Sequence, residues 1–230
     1  MNTLSQTTAA NTPAAPSDFS ATAIELITAA ERLLAEKGLG AVSTREIARA
    51  AGQKNHSALN YHFGCREGLI NAILDYRMTP LNLERQQLLD TLSSEQRDAN
   101  LYCLVEALVT PFANELTKPI RESYYLSLLA QLMSQREWQL LFTQHQHRSS
   151  AAIAIGAKLI ELLTPVLGAE IAMERIRLLG LHLLNTITEW DAMRRRGELV
   201  MDDANLEWRV KNLITYLTGA LTANVEASKI

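Results

Sequence analysis

The chain has 230 residues, with 22 basic and 25 acidic side chains and a net charge of −3. This length is enough for one small and one larger domain, each with its own core. Glycine and proline are scarce, at 10 and 6 residues, and no segment alternates apolar and polar residues as a strand does, so the sequence predicts an all-α fold of about nine helices.

Nothing in the sequence indicates export or a membrane span. Residues 1–19 have neither the basic region nor the apolar core of a signal peptide, and we expect them to form a disordered tail. No segment reaches about 18 uninterrupted apolar residues. Cys65 and Cys103 belong to no paired motif, which suits a reducing compartment. We therefore expect a cytoplasmic protein that does not bind a membrane.

The first two predicted helices are marked by N-terminal caps. Ser20 is a good cap for a helix that runs to about Lys37. Ser43 and Glu46 have the S-x-x-E spacing of a capping box, which starts a second helix at Thr44. These helices open a compact N-terminal part of the chain.

A tight turn leads from the second helix to a third. Gly52 stands where the backbone needs a positive φ. The third helix is predicted to begin near Asn55, a good N-cap, with Leu59 and Phe63 facing inward. The outward positions are His56, Ser57, Asn60 and Tyr61. Two short helices joined in this way are typical of a helix-turn-helix, whose second helix enters the major groove of DNA.

The charge of this hairpin differs from that of the whole chain. Between Ser43 and Arg66 there are four basic residues and one acidic residue, a net charge of +3, on a chain whose total is −3. A basic island on an acidic protein suits phosphate contact, because neutralised phosphates release counterions. The alternative is a solvated helical hairpin whose charges only keep it soluble.

The residue order from Thr22 to Leu74 resembles the DNA-binding domain of the TetR/AcrR family of bacterial transcriptional regulators. The segments that carry the resemblance are ATAIELITAAERLLAEKGLGAVST, REIARAAG, LNYHF and GLINAIL. One residue more than is usual in the family separates the turn from the end of Y-H-F, and it falls at Lys54–His56. The resemblance implies a helix-turn-helix domain over residues 20–66 and a ligand-binding and dimerisation domain over residues 67–230.

The resemblance also implies which residues contact DNA. The candidates are Thr44, Arg45, Lys54, Asn55, His56, Ser57, Ala58, Asn60, Tyr61, His62 and Arg66. Ser57, Ala58 and Asn60 have short side chains that can reach base edges. Asparagine can form a two-point pair with adenine, so we expect Asn60 to read sequence.

Other candidates are expected at the DNA backbone. Thr44 and Arg45 open the second helix, where free backbone N–H groups favour a phosphate; the alternative for them is simple capping. Tyr61, His62 and Arg66 are expected on phosphates, which position the protein without carrying sequence information. For His62 the alternative is packing between helices.

The rest of the chain is predicted to be helical. A fourth helix begins at Arg66, and Pro80 is expected to interrupt and kink it. A start of the cap-then-proline kind at Pro119 and a capping box at Ser134 mark two later helices. The helices after the fourth are predicted at Ala99–Leu116, Pro119–Met133, Arg136–Leu163, Glu170–Arg196 and Asp203–Asn224.

The last two predicted helices carry broad apolar faces. Their residues are Leu179, Leu183, Ile187, Trp190, Val210, Leu213, Leu217 and Leu221. We predict a homodimer in which these helices form a four-helix bundle, as the resemblance also implies; the alternative is one monomeric core. His182, Asn185 and Glu189 form a stripe opposite this face, where they either line a pocket, bond across the dimer or meet solvent.

The resemblance implies a small-molecule pocket among the predicted fourth to seventh helices. An apolar wall with few polar groups is typical of such a site, although a core with a few tyrosines gives the same pattern. The candidates are Arg121, Tyr124, Tyr125, Leu128, Leu129, Trp138, Phe142 and His145, together with His182 and Asn185. If Arg121 points inward, an acidic ligand is favoured; the alternative is an exposed Arg121.

The sequence carries no motif of an enzyme. It has no glycine-rich phosphate loop, G-x-S-x-G or H-E-x-x-H, and His145 and His147 lie about 200° apart around a helix, so they cannot share a metal ion. We expect no catalysis, cofactor or metal site. The predicted function is a dimeric one-component regulator, a repressor, that binds a palindromic operator in double-stranded DNA and is released by an unidentified small-molecule effector. The alternative is a helical adaptor that binds a protein through the basic hairpin.

Overall fold

The computed structural model describes residues 18–55, 57–135, 138 and 146–224. Within these ranges the chain is helical and has no strand, which confirms the all-α prediction. The α-helices of the described residues are α1 (Ala21–Lys37), α2 (Thr44–Ala50), α3 (Ala58–Phe63), α4 (Arg66–Ser94), α5 (Leu101–Ala113), α6 (Tyr125–Ser134), α7 (Ser150–Leu167), α8 (Ala169–Arg195) and α9 (Asp203–Thr222). Short 3₁₀ turns at Asn114–Thr117 and Gln146–Ser149 follow α5 and precede α7.

The first two helices begin where their caps predict. The hydroxyl of Ser20 accepts a hydrogen bond from the backbone N–H of Ala23 at 3.2 Å. The hydroxyl of Ser43 accepts one from the N–H of Glu46, also at 3.2 Å. Each bond satisfies an N–H group that the first turn of the helix leaves without a partner. Residue 19 is not part of a tail, because the Phe19 ring packs edge-on against that of Tyr76 on α4.

The predicted start of the third helix at Asn55 is wrong. The side-chain oxygen of Asn55 accepts a hydrogen bond from the N–H of Ser57 at 2.9 Å, and α3 begins only at Ala58. Asparagine offers the backbone this local bond as an alternative to a helix.

The fourth helix is one continuous element of 29 residues, not two segments separated at Pro80. Its first half packs against α1 and α3, and its second half packs against α5 and α7. Packing on both sides outweighs the one backbone hydrogen bond that a proline removes. At 1.5 Å per residue the helix is about 43 Å long, so it reaches from the N-terminal hairpin far into the larger part of the molecule.

The sixth helix begins at Tyr125 and not at Pro119. The preceding segment is a loop whose carbonyl groups accept hydrogen bonds from two arginines at the end of α8. Arg194 donates to the carbonyls of Leu116 and Lys118, and Arg195 donates to those of Ile120 and Ser123. These carbonyls bind guanidinium groups instead of helical N–H groups, which no local pattern in the sequence indicates.

The predicted seventh helix, Arg136–Leu163, is wrong as a single α-helix. A 3₁₀ turn at Gln146–Ser149 precedes α7, which begins at Ser150. The guanidinium of Arg148 in this turn is buried and donates to Asp75 and to the side chain of Asn71 on α4. A continuous α-helix through this turn would move the Arg148 guanidinium away from Asp75 and Asn71. Most of the predicted helix before residue 146 lies outside the described residues.

One helix of the described residues, α7, is long and apolar enough to cross a membrane by length and composition. Four of its residues, spaced by three or four positions along one side, are buried in the core: Ala151, Ile155, Leu159 and Leu163. This side packs against α4, α5 and α8. The helix therefore has the burial pattern of a core element.

The buried residues form one continuous hydrophobic cluster that runs from α1 to α9. Helix α1 packs against α2, α4 and α6, so the N-terminal hairpin rests on the larger helical part. A domain boundary at residues 66–67 stays a prediction. Helix α4 begins beside that boundary and contributes buried side chains to both parts.

Candidate nucleic-acid interface and cavity

Helices α2 and α3 pack together through their apolar sides. Ile47, Ala48 and Leu59 have no solvent exposure. Between the helices, Gly52 has a φ of 71°, a backbone conformation that glycine adopts without strain. The turn is closed by a hydrogen bond of 2.9 Å from the N–H of Gln53 to the carbonyl of Ala48. The sequence analysis predicted this hairpin, although α3 is shorter than expected.

The outward side of α3 presents polar and aromatic groups to solvent. Ser57 and Asn60 are exposed, Ala58 is half-buried, and Tyr61 is 85% exposed. The ring of His62 is half-buried and meets the Tyr61 ring edge-on, with 5.1 Å between the centroids. This side combines short side chains that can approach bases with larger groups that can reach a phosphate. His56 lies outside the described residues.

The basic side chains around the hairpin are exposed. Arg45 and Arg49 follow each other one turn apart on α2, and Lys54 and Asn55 lie in the turn before α3. Among the described residues, none of these three cations has an ion-pair partner. Thr44, which begins α2, is half-buried. Arg49 was counted in the charge of the hairpin but not proposed as a contact; its position four residues after Arg45 is the pattern that could have indicated it.

Arg66 was predicted to contact a DNA phosphate, but the structure places its guanidinium against the protein backbone. Its guanidinium is half-buried and donates hydrogen bonds to the carbonyl of Leu39 and, at 2.6 Å, to the carbonyl of Val42. These carbonyls belong to the loop between α1 and α2. Arg66 therefore ties the start of α4 to that loop, and its donors point at the protein backbone instead of at a phosphate.

The hairpin is held rigidly against α4. A Cβ atom added to Gly68 would overlap the carbonyl oxygen of Phe63, the last residue of α3. The arrangement therefore requires a glycine at this position, because the atom in the way belongs to the backbone and cannot rotate aside. The end of α3 and the first turn of α4 are therefore in close backbone contact.

One protein-family model matches the part of the sequence that contains this hairpin. The family model described as "Bacterial regulatory proteins, tetR family" matches residues 26–73, which span α1 to the first half of α4. Residues 26–73 are therefore similar to the TetR family. The match covers the helix-turn-helix and the turn that leads into α4, and it confirms the resemblance seen in the sequence.

Solved structures extend the likeness to the larger part of the chain. Two crystal structures of NalD, the secondary repressor of the MexAB-OprM multidrug efflux pump in Pseudomonas aeruginosa, are similar to it. One, of native NalD, has a TM-score of 0.57 at 20% identity and covers 86% of this chain and 96% of that chain. The other has a TM-score of 0.56 at 22% identity and covers 86% and 94%. At these identities the likeness is one of fold. No curated protein matches the sequence.

A buried ion pair joins α1 to a more distant part of α4. Arg77 on α4 donates two hydrogen bonds to the carboxylate of Glu31 on α1, at 2.6 and 2.9 Å. The same carboxylate accepts a bond of 2.8 Å from the backbone N–H of Tyr124, just before α6. Glu31 is only 1% exposed. The pair therefore fixes α1, α4 and the start of α6 relative to one another.

A cavity of about 280 Å³ lies between α4, α5, α6 and α8. Its walls are mainly apolar side chains: Met78, Leu81, Phe112, Leu129, Leu183 and Leu184. Three polar residues also line it: Arg85, Tyr125 and Ser149. Burial lowers the pKa of Arg85 and raises the pKa of Tyr125. Apolar walls with a few polar groups are typical of a small-molecule site.

The structure separates the predicted ligand residues into different places. Tyr125 and Leu129 line the cavity, whereas Leu128 is buried in the core. Arg121 and Tyr124 border an open groove against α1 and the end of α2, so their assignment to the pocket is wrong. The cause is the late start of α6, which leaves both residues in a loop.

The remaining pocket candidates do not line this cavity. Trp138 is half-buried and packs against the core, while Phe142 and His145 lie outside the described residues. His182 and Asn185 are exposed on α8, so for them the pocket alternative is wrong. Arg85 was missed, because an arginine on a long helix has no pattern in the sequence that distinguishes it from a solvated one.

Most of the predicted dimer seam is already covered within one protomer. Leu179, Leu183 and Ile187 on α8, and Leu213, Leu217 and Leu221 on α9, are at most 5% exposed. For these six the predicted interface is wrong, because they pack in the core of their own chain and cannot meet a partner. Trp190 and Val210 are half-buried beside them.

A different side of α8 and α9 is apolar and exposed. Leu178 and Leu181 on α8 are 39% and 37% exposed, and Trp208 and Tyr216 on α9 are 50% and 55% exposed. The rings of His182 and Tyr216 stack with 6.0 Å between their centroids, so the outward sides of the two helices form one surface. We call these residues the outer α8–α9 face.

Proposed function

We propose that this protein is a dimeric transcriptional repressor that binds a palindromic operator through α3 and is released by a small molecule in the cavity beside α4. The observation that carries the proposal is the hairpin itself. It combines the TetR-family match over residues 26–73 with an exposed α3 surface and exposed Arg45, Arg49 and Lys54 without ion-pair partners among the described residues.

Base readout and phosphate contact fall on different residues. Asn60 is the residue of α3 that we expect to read a base, since its amide can pair with adenine. Tyr61, His62 and the three exposed cations are expected on phosphates, where contacts fix orientation without reading sequence. Ser57 and Ala58 lie at the start of α3 and are expected close to base edges.

Dimerisation is proposed through the outer α8–α9 face. Exposed tryptophan, tyrosine and leucine side chains on two adjacent helices favour a four-helix bundle about a two-fold axis. A palindrome requires two recognition helices about one DNA turn apart, roughly 34–36 Å, and a fixed dimer would hold them at that separation.

The proposed release is a population shift. Helix α4 touches α3 at its beginning and lines the cavity with Met78, Leu81 and Arg85 near its middle. An effector that prefers one position of α4 therefore favours one separation of the two α3 helices, and it releases DNA when that separation no longer matches the operator. Cytoplasmic location follows from this role. NalD, whose structures are similar in fold, is a repressor, which supports repression in preference to activation.

The dimer is tested by substitutions on the outer α8–α9 face and, as a control, at an exposed apolar residue on α7. Leu181→Glu with Trp208→Glu should give a folded monomer, because these side chains face outward. Val166→Glu, at an apolar residue on α7 that is 81% exposed, is the control and should leave a dimer. Light scattering that finds an unchanged dimer in the double variant would contradict this interface.

DNA binding is tested by selecting duplexes from a random pool with the purified protein. We expect a palindromic consensus and a steep loss of affinity with salt. Tyr61→Ala with His62→Ala should weaken binding to all duplexes about equally, whereas Asn60→Ala should relax the preference at one base pair in each half-site. A protein that binds no duplex at low salt would instead be a helical adaptor, and an unchanged consensus in Asn60→Ala would remove Asn60 as a base reader.

A further inference from the structure

Arg85 differs from the other deeply buried arginines of the described residues. Arg148, at 2% exposure, pairs with Asp75, and Arg194, at 9% exposure, pairs with Asp191. Arg85 is also 9% exposed, yet in the described part of the chain it has no carboxylate within ion-pair distance. The carboxylate of its neighbour Glu84 instead accepts a hydrogen bond from Asn114 at 3.1 Å.

The guanidinium of Arg85 is also short of hydrogen bonds. Its Nε donates to the carbonyl of Leu108 at 3.3 Å, and this is its one bond among the described residues. A guanidinium carries five N–H donors. The terminal nitrogens are not among the fully buried unpaired atoms of the described residues, and Arg85 lines the cavity, so these donors have access to the cavity.

The phenol of Tyr125 adds a second donor on the wall of the same cavity. The residue is 2% exposed, and within the described ranges its hydroxyl makes no hydrogen bond. Burial raises the pKa of its phenol, so the hydroxyl keeps its proton and can donate a hydrogen bond. Burial of a charge or hydroxyl without a partner is unfavourable, and a ligand with an acidic group would satisfy both side chains at once.

We infer that the cavity binds a small amphipathic anion, with a carboxylate or a comparable acidic group on Arg85 and Tyr125 and an apolar body against the leucine and methionine walls. This inference rests on the proposed effector role of the cavity and names the chemical class of the effector. Arginine matches the planar two-oxygen geometry of a carboxylate. The volume of about 280 Å³ lies just below the range of about 300–1,000 Å³ for drug-sized ligands, which indicates a small molecule.

The test compares acids with amides of the same shape. The probes are octanoate against octanamide and 4-propylbenzoate against 4-propylbenzamide, titrated calorimetrically into the full-length protein at constant ionic strength. The wild type should bind at least one acid tenfold or more tightly than its amide, a difference of about 1.4 kcal/mol. In Arg85→Met this preference should fall below twofold, whereas Arg85→Lys should retain part of it because the charge remains.

A second pair of variants places the site and its other donor. Leu129→Trp fills the cavity and should weaken the acid and the amide together by tenfold or more. Tyr125→Phe removes only the hydroxyl and should lower the preference for the acid without abolishing it. If Arg85→Met fails to fold, the wild-type ratios and the Arg85→Lys and Tyr125→Phe titrations still decide the question.

The inference is overturned if neither acid binds, if the amides bind as tightly as the acids in the wild type, or if the preference survives in Arg85→Met. Its failure is distinct from failure of the proposed function. Operator DNA that is bound and then released by neutral compounds alone would remove the acidic effector and leave the repressor. Acid binding that depends on Arg85 in a protein that binds no duplex would keep the site and remove the repressor.

Discussion

Each half of α4 contains a buried arginine, and the two arginines differ in their hydrogen-bond partners. In the first half, Arg77 makes two hydrogen bonds to the buried carboxylate of Glu31. In the second half, Arg85 faces a cavity and makes one bond of 3.3 Å to a carbonyl. A satisfied charge joins elements of the fold, whereas an unsatisfied one beside empty space marks a place for a ligand.

The packing around α4 also differs between its two halves. At the hairpin end, Gly68 leaves no room for a methyl group beside the carbonyl of Phe63. Near the middle of α4, beside Met78, Leu81 and Arg85, the helices leave a cavity of about 280 Å³. Close packing at the hairpin and open space further along the same helix suit the proposed connection between a ligand site and a DNA-reading surface.

The largest loss of unfolding free energy is expected from Arg77→Met. It leaves the Glu31 carboxylate buried with only the N–H of Tyr124 as a donor, and breaking a buried pair in this way costs about 3–5 kcal/mol. Urea unfolding measures the loss. The double variant Glu31→Leu with Arg77→Met should recover at least half of it, because no buried charge remains. A loss below about 1 kcal/mol for the single variant would show that the pair does not hold the two parts together.

Gly68→Ala should cause the next largest loss of unfolding free energy. The new methyl overlaps a backbone oxygen, so α3 and α4 must move apart, at about 1–3 kcal/mol. Operator affinity should fall with stability, since the hairpin loses its position. The control is Gly156→Ala on α7, where the added Cβ has an ordinary contact of 3.6 Å with Ile176 and where alanine should stabilise the helix by about 0.5–1 kcal/mol. Equal effects of the two variants would show that the close contact between Gly68 and the Phe63 carbonyl does not determine the loss.

Arg85→Met should change stability by no more than about 1 kcal/mol in either direction. It removes one hydrogen bond, worth about 1 kcal/mol, and it also removes a buried charge that has no carboxylate among the described residues. The substitution is the same as Arg77→Met and lies eight residues further along the same helix. Unfolding in urea that shows comparable losses for both would mean that Arg85 has a structural role like that of Arg77.

The smallest effect is expected at the surface of the hairpin, with Glu46→Gln. The hydrogen bond of 2.6 Å from Lys37 lowers the pKa of Glu46, so its contribution to stability is present at neutral pH and is lost as the pH falls through the lowered pKa. Glutamine keeps the capping-box position and removes only the charge. The unfolding midpoints of wild type and variant should differ slightly at pH 7 and coincide in acid; a difference that does not depend on pH would exclude this pair as its cause.

The sequence predicted the hairpin well because its determinants are local. The capping box at Ser43 and the glycine that follows α2 act within a few residues, and the structure confirms both. Where a short polar residue had two local choices, the prediction failed. Asn55 caps a turn instead of α3.

The larger part was predicted less well because its determinants are distant in sequence. The loop before α6 is held by Arg194 and Arg195, more than 70 residues away. An apolar side of α9 predicts burial, but it does not say whether the partner is the same chain or another, and Leu213 packs in its own chain. The position of Arg85 at a cavity follows from how four helices leave space between them.

The central claim is that a ligand in the cavity beside α4 changes the affinity of the hairpin for DNA. Reciprocal binding measurements test this claim most directly. The affinity for a selected duplex is measured with and without a saturating acid probe, and the affinity for the probe is measured with and without the duplex. We expect the probe to weaken duplex binding tenfold or more, about 1.4 kcal/mol, and the duplex to weaken probe binding by the same factor. A probe that binds beside Arg85 while the duplex affinity stays the same would contradict the claim.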